Sequence, residues 1–269
     1  MIKIFLVGCG HMGSALLSSW IAMNSHSFFV YDPLNYRKLK KKFNNKKIKF
    51  YNKTPTQKDI LTFDIICFAV KPQIALKVIN EYKHFEFKQN SVIISIIAGK
   101  KLSFFKKNIK NSSQIVRIMP NMPALINSGI SCIVPNEHLS KFNKNKIENL
   151  FLKVGKTLWF KNEIEIDKAT AISGSGPGYI FTLIDAFESA AIKLGFSKKI
   201  SRELILSTFI GSSKLMEITK KDPKKLANSI SVKGGTTEAG IKILKNNNIN
   251  EIMYNTFSNA FKRASKLGK

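Results

Sequence analysis

The sequence predicts an α/β protein, with an N-terminal doubly wound parallel sheet followed by an all-helical C-terminal domain. Three observations carry this. Short apolar runs alternate with helical patterns through the first half of the chain, as they do where crossover helices join parallel strands. A glycine-rich turn, Gly8-Cys9-Gly10-His11-Met12-Gly13, stands between the first apolar run and the first helical pattern. Beyond about Asn162 the strand-like runs stop and helical periodicity takes over. The division falls as residues 1–162 and residues 163–269.

In order, Ile2–Val7 reads as a strand, Met12–Met23 as a helix and Ser27–Tyr31 as a second strand. Asn35–Lys42 is a basic helix and Ile48–Tyr51 a short third strand. Asp64–Val70 is a buried strand and Ile74–Tyr82 a helix. Ser91–Ile97 and Gln114–Met119 are further strands. Gly129–Val134 and Lys156–Phe160 add two more, with a helix over Ser140–Val154 between them. In the C-terminal part, Pro177–Leu194 and Ser201–Thr219 are long helices. Asp222-Pro223 starts another, with Asp as cap and Pro in the first helical position. Asn250–Leu267 closes the chain. Pro177–Leu194 is apolar nearly all round, which calls for burial, and a subunit interface would supply it.

The composition narrows the classes. The chain has 269 residues and 44% hydrophobic content, enough for two cores. No stretch of about 18 apolar residues occurs, so no membrane span is expected. The N-terminus lacks the features of a secretory signal. Cys9, Cys67 and Cys132 are odd in number and lie in or beside apolar runs, which points to buried thiols in a reducing cytoplasm. Four scattered histidines and no paired-cysteine spacing give no metal site. The net charge of +27 raises nucleic-acid binding. Yet only four of the 44 basic residues are arginine, and the chain is also rich in Asn, Ile and Phe. That joint bias is what AT-rich codons produce. The lysines fall on helix faces and turns, so a solvated basic surface is expected and no specific nucleic-acid partner.

The first glycine turn has a mechanical reading. Gly8 permits the tight turn, Gly10 lets the backbone approach a pyrophosphate, and Gly13 lets the helix pack on the strand. With His11 and Met12 they place free N–H groups at a helix start, where negative charge is favoured. Asp32 closes the second strand, placed to accept hydrogen bonds from a ribose diol. It favours NADH, while Arg37 and Lys38 nearby favour NADPH, so the cofactor stays open between the two. Ala69, Val70, Lys71 and Pro72 end a buried strand, on the side where ligands lie in open α/β sheets. Ala98 and Gly99 end the next strand and leave room for a cofactor. Met119, Pro120 and Asn121 end a further one, in a loop stiffened by a second proline at Pro123, which suits a wall beside the nicotinamide ring of the cofactor, unless the loop is only a rigid connector.

Lys233-Gly234-Gly235-Thr236-Thr237-Glu238 leads into a helix over Glu238–Leu244. Successive N–H groups at such a start make a nest for a small anion, unless the segment is only a helix cap. With these residues in view, the chain resembles the pyrroline-5-carboxylate reductase family. The resemblance runs through Gly8 to Gly13, Ala69 to Pro72, Met119 to Asn121, Ser173-Gly174-Ser175-Gly176-Pro177 with Tyr179, and Gly234 to Thr237. It implies that nicotinamide hydride reduces the C=N bond of 1-pyrroline-5-carboxylate to L-proline. It implies that amides of Gly235, Thr236 and Thr237 hold the substrate carboxylate and that the Thr237 hydroxyl meets the ring nitrogen. It also implies homodimers built by the helical domains, either as such or, as in many members, assembled further into a pentamer of dimers. Two departures stand out. Val232-Lys233 replaces the usual Ser-Pro, which removes a hydroxyl from the carboxylate site, and Gly178 stands where Ala is common.

Three rival classes share part of this pattern. A β-hydroxyacid dehydrogenase carries a lysine four residues after its Gly-Ser-Gly motif, where this chain has Ile180. An imine reductase for another cyclic imine would differ in the wall of its substrate pocket, which the sequence does not mark. A non-enzymatic basic nucleotide-binding protein would make Gly234 to Thr237 purely structural.

Overall fold

The computed structural model describes residues 1–109, 112 and 114–267. The first part runs β1 (Ile2–Val7), α1 (His11–Trp20), β2 (His26–Tyr31), α2 (Tyr36–Lys42), β3 (Ile48–Tyr51), α3 (Gln57–Ile60) and β4 (Ile65–Phe68). It continues with α4 (Ala75–Asn80), β5 (Val92–Ser95), α5 (Leu102–Asn108), β6 (Gln114–Met119), β7 (Gly129–Pro135), α6 (Lys141–Phe151), β8 (Gly155–Trp159) and α7 (Glu163–Ala169). The strands form one sheet in the order β3-β2-β1-β4-β5-β6-β7-β8. β1 pairs in parallel with both β2 and β4, so the chain reverses its direction of travel across the sheet at that point.

Strand alternation sorts the core into two layers. Ile4 and Leu6 pack with Leu16, Leu17 and Trp20 of α1 and with Leu150 and Phe151 of α6. Phe5 and Val7 point the other way, onto Ile60 of α3, Ile79 of α4 and Phe105 of α5. Successive residues of a strand face opposite sides, so this hydrophobic run needs helices on both faces.

β7 departs from the expected parallel sheet: it runs antiparallel to β6. The connection is a short 3₁₀ turn, Met122–Ile126, with Pro123 in its first turn. A link that short returns a strand antiparallel, since a parallel one needs a crossover of a dozen or more residues. β8 is parallel to β7, joined through α6.

Three helices lie outside the expected pattern: α3, α5 and α7. α7 starts on a capping box, in which the Asn162 side chain accepts from Glu165 N–H and Glu165 reaches back. Arg117 on β6, 2% exposed, holds it to the sheet. Its Nη1 donates to Glu163 Oε1 at 3.1 Å and its Nη2 to Asp167 Oδ1 at 2.6 Å. Glu163 Oε1 also accepts Leu102 N–H at 3.0 Å, so one carboxylate ties α5, β6 and α7 together. A π-helical turn, Thr170–Gly174, follows α7.

The contacts divide the chain into two compact units: Met1–Ser175 with the segment from Ala260, and Gly176–Asn259. The second unit holds α8 (Gly176–Lys193), α9 (Lys198–Thr219), α10 (Pro223–Ile230), α11 (Thr236–Asn246) and most of α12 (Ile249–Leu267). α8 and α9 are pinned by a two-pronged pair: Arg202 Nε and Nη2 donate to Glu188 Oε1 and Oε2 at 2.9 and 3.0 Å. The apolar surface of α8 and α9 is only partly covered within the chain, with Ile180, Phe181, Phe187 and Ile210 all exposed. Among the described residues no helix is long and apolar enough to cross a membrane.

Candidate dinucleotide and anion sites

The end of β1 fixes the first site. Gly8 N–H donates to Tyr31 O at 2.8 Å, extending the ladder by one residue before the chain turns. Gly8 sits at φ +85, where a side chain is strained, and a Cβ there would lie 2.6 Å from Val70 Cγ1. A Cβ on Gly13 would lie 2.7 Å from Gly8 O, so α1 can start this close to β1 only with glycine at that position. Gly10 has open space at its Cβ position, leaving the approach to the backbone clear. The first intrahelical bond of α1 is Ser14 N–H to Gly10 O. The N–H groups of His11, Met12 and Gly13 therefore have no acceptor among the described residues, as the first turn of a helix requires. Three such donors beside an unobstructed glycine suit a pyrophosphate.

A cleft of about 740 Å³ opens over this turn. It brings together Gly10, His11 and Met12 with Ala69, Val70, Lys71 and Pro72 from the end of β4, and Ala98 from beyond β5. Lys38, expected near the cofactor, also lines it, as do Asn35, Lys42 and Leu125, which were not expected from the sequence; Arg37 is not among the lining residues. Lys42 was hidden in a run of lysines; only the face of α2 singles it out. Burial pushes the Cys9 thiol up to about 11, against a hydrogen bond from Ser14, so no thiolate charge opposes an anion in the turn.

The other expected residues are not among those lining this cleft. Gly99 is in a turn with φ +73. Met119 packs with Cys132, Val134 and Ile166. Asn121 is buried and both ends of its amide are engaged: Oδ1 accepts Ile130 N–H at 2.9 Å and Nδ2 donates to Ser173 O at 3.1 Å. It thereby joins the loop after β6 to the π turn, with Pro120 buried beside it. Asp32 is buried and its carboxylate accepts from Cys9 N–H and from Asn35.

The second glycine segment forms the start of α11. Gly234, at φ +78, donates its N–H to Glu238 Oε2 at 2.7 Å. Gly235 N–H donates to Val232 O at 2.9 Å, which closes the turn. Gly235 thus shapes the turn, and the amides left without an acceptor among the described residues are those of Thr236, Thr237 and Glu238. Thr237 is half-buried, whereas Val232 is 70% exposed and Lys233 is exposed. A hollow of about 720 Å³ beside the turn is lined by Gly234, Gly235, Lys242 and Lys245 among others.

The doubly wound sheet and its glycine turn define a dinucleotide-binding oxidoreductase with a helical second unit. Residues 3–99 match the family profile for NADP oxidoreductase, coenzyme F420-dependent, and residues 163–267 match that for pyrroline-5-carboxylate reductase dimerisation. The pyrroline-5-carboxylate reductase of Aquifex aeolicus is 33% identical over 204 residues, 76% of this chain and 75% of that one. The enzyme of Corynebacterium melassecola is 28% identical over 275 residues, 100% of each. A solved structure of pyrroline carboxylate reductase from Plasmodium falciparum, with NADP bound, is similar with a TM-score of 0.85 at 28% identity, covering 100% of this chain and 98% of that one. This chain belongs to the pyrroline-5-carboxylate reductase family.

Proposed function

We propose that this protein reduces 1-pyrroline-5-carboxylate to L-proline with NAD(P)H, the final step of proline biosynthesis. The observation that carries this reading is a likeness to pyrroline-5-carboxylate reductases that covers 100% of the chain, both glycine segments included. NAD(P)H supplies the hydride; the protein binds and orients. The amides of His11, Met12 and Gly13 hold the pyrophosphate, and Ala69 to Pro72 with Ala98 wall the cleft. Met119, Pro120 and Asn121 stiffen that wall from behind. At the second turn the amides of Thr236 and Thr237 hold the substrate carboxylate, and Gly234 and Gly235 give the turn its shape. The Thr237 hydroxyl positions the ring nitrogen, which takes its proton from water. Alignment of the imine carbon and a fixed dipole on the nitrogen are what this reduction asks of a protein.

The working division is a dinucleotide-binding domain over residues 1–162 and a helical dimerisation and substrate-binding domain over residues 163–269. A homodimer built on the helical region would cover the exposed apolar residues of α8 and α9. A pentamer of dimers is the larger assembly implied by the family resemblance. The buried free thiols Cys9, Cys67 and Cys132 suit a reducing cytoplasm. The test is oxidation of NADH and of NADPH with pyrroline-5-carboxylate as acceptor, followed by loss of the reduced-nicotinamide absorbance. Turnover is the expected result. Cofactor binding without turnover would move the substrate to another cyclic imine and make Val232-Lys233 the first residues to exchange.

A further inference from the structure

A second hollow, of about 610 Å³, opens at the end of the sheet opposite the dinucleotide cleft and shares no lining residue with it. Doubly wound sheets take their usual ligands at the carboxyl ends of the strands. This hollow lies at the amino ends. Ile2 and His26, the first residues of β1 and β2 and partners in register, line it. The glycine turn begins at the other end of β1, about 20 Å along the strand. One wall is a stripe of α6: Phe142, Asn145, Lys146 and Asn149 fall at spacings of three and four and so share a face. Lys153 follows in the 3₁₀ turn Leu152–Val154. The other side of α6 carries Ile147, Leu150 and Phe151, all buried, which holds the stripe outward.

The polar groups of the hollow are unspent. His26 is 7% exposed; its Nδ1 lies 3.1 Å from Ser25 Oγ, and its Nε2 has no partner among the described residues. A buried polar atom left unmade is costly, and a ligand in the hollow would relieve it. Burial, and then the amine of Met1, hold the imidazole below its ordinary value, so it offers a hydrogen-bonding edge and not a charge. Charge comes from Lys146 and Lys153, which have no ion-pair partner among the described residues. The field of Asp64 reaches Lys146, but that carboxylate already accepts Lys3 N–H at 2.8 Å and Lys88 Nζ at 2.6 Å. No carboxylate lines the hollow among the described residues. Lys146 Nζ stands 4.3 Å from the centroid of the Phe142 ring, and Phe142 is 69% exposed. An ammonium thus sits beside a flat apolar surface open to solvent, in a hollow of the size that small-molecule sites have.

We propose that this hollow binds a small organic anion with a flat apolar body, its carboxylate or phosphate held by Lys146 and Lys153, its ring on Phe142 and His26 Nε2 hydrogen-bonded to it. Calorimetric titration of the full chain with phenyl phosphate and with phenylacetate tests this. Saturating NADP+ and L-proline are present throughout, to fill the other two sites. Inorganic phosphate carries the charge alone and benzyl alcohol the ring alone. At least one aromatic anion should bind with a Kd at or below about 1 mM, the scale for about ten heavy atoms. The tighter of the two names the head group. Inorganic phosphate and benzyl alcohol should bind at least about tenfold more weakly. Lys146→Gln/Lys153→Gln should weaken the aromatic anion at least about tenfold, by loss of its charge-assisted bonds. Phe142→Ser should weaken it about three- to tenfold and leave inorganic phosphate unchanged. Lys40→Gln/Lys41→Gln removes the same charge from α2 and should leave binding within about twofold. Urea midpoints establish that each variant is folded. Failure of both aromatic anions to bind, or inorganic phosphate binding as tightly as they do, would overturn the proposal. So would wild-type affinity in Lys146→Gln/Lys153→Gln, or an equal loss in Lys40→Gln/Lys41→Gln.

Discussion

Arg117→Met should destabilise the protein by about 3–5 kcal/mol, the cost of removing one partner from a buried charge cluster. Methionine replaces the stem of Arg117 and removes its cation. The side chain of Asp167, 7% exposed, then keeps a buried charge with no cation beside it. Glu163 suffers less: it is 22% exposed and still accepts Leu102 N–H. The larger share of the loss therefore falls on Asp167. Arg117 Nε has no hydrogen-bond partner among the described residues even in wild type, so the cluster is not fully satisfied to begin with. An apolar pair should accordingly do nearly as well: Arg117→Met/Asp167→Leu should recover to within about 1–2 kcal/mol of wild type. Urea unfolding followed by circular dichroism measures this, at one fixed protein concentration, because association would add to the apparent stability. With a slope of about 2–3 kcal/mol/M, the midpoint of the single variant should fall by about 1–2 M. A single variant that unfolds with wild type, or a double variant no more stable than the single, would refute the reasoning.

Thr237→Ala should lower kcat/KM with pyrroline-5-carboxylate by about 10- to 1,000-fold, the scale of one positioned donor; wild-type turnover would remove Thr237 from its proposed place. Gly13→Ala should push α1 off the glycine turn, costing about 1–3 kcal/mol of stability and at least about tenfold in NADPH affinity, since its Cβ would meet Gly8 O at 2.7 Å. Unchanged binding by calorimetry would count against the close approach. Asp64 supplies a pH test. Burial pushes its carboxyl up, but the Lys3 N–H at 2.8 Å and the Lys88 ammonium at 2.6 Å outweigh that and hold it below its ordinary value. A lowered folded pKa contributes stability above the unfolded value of about 3.9 and loses it as pH falls through the folded one. Asp64→Asn should therefore flatten the acid limb of a stability profile below about pH 5. Parallel acid limbs in wild type and variant would exclude the effect.

Strands with uninterrupted apolar runs between polar turns were legible to the residue: Ile2–Val7, Ile48–Tyr51 and Gln114–Met119 begin and end where the sequence places them. α3 and α5 were not, because four and seven residues are too short to show a period. α7 had a signal, the Asn162–Glu165 capping box, but it lies where the strand pattern ends and was masked by that change. In the cleft, Gly8 to Gly13 and Ala69 to Pro72 were readable because spacing alone marks them. Lys38 was named for its nearness to Asp32, but Asn35 and Lys42 were not, since a run of lysines looks the same on every face until the helix is packed.

Local pattern thus settled the class of this protein from sequence: the period of its apolar residues and the spacing of its glycines depend on neighbours a few positions away. Tertiary structure decided what depends on residues far apart in the chain. It reversed β7, because a nine-residue link with Pro123 in it cannot make a crossover. It gave Arg117 its two carboxylates, 46 and 50 residues away. And it brought Cys9 N–H to Asp32 across 23 residues, fastening the glycine turn to the end of β2.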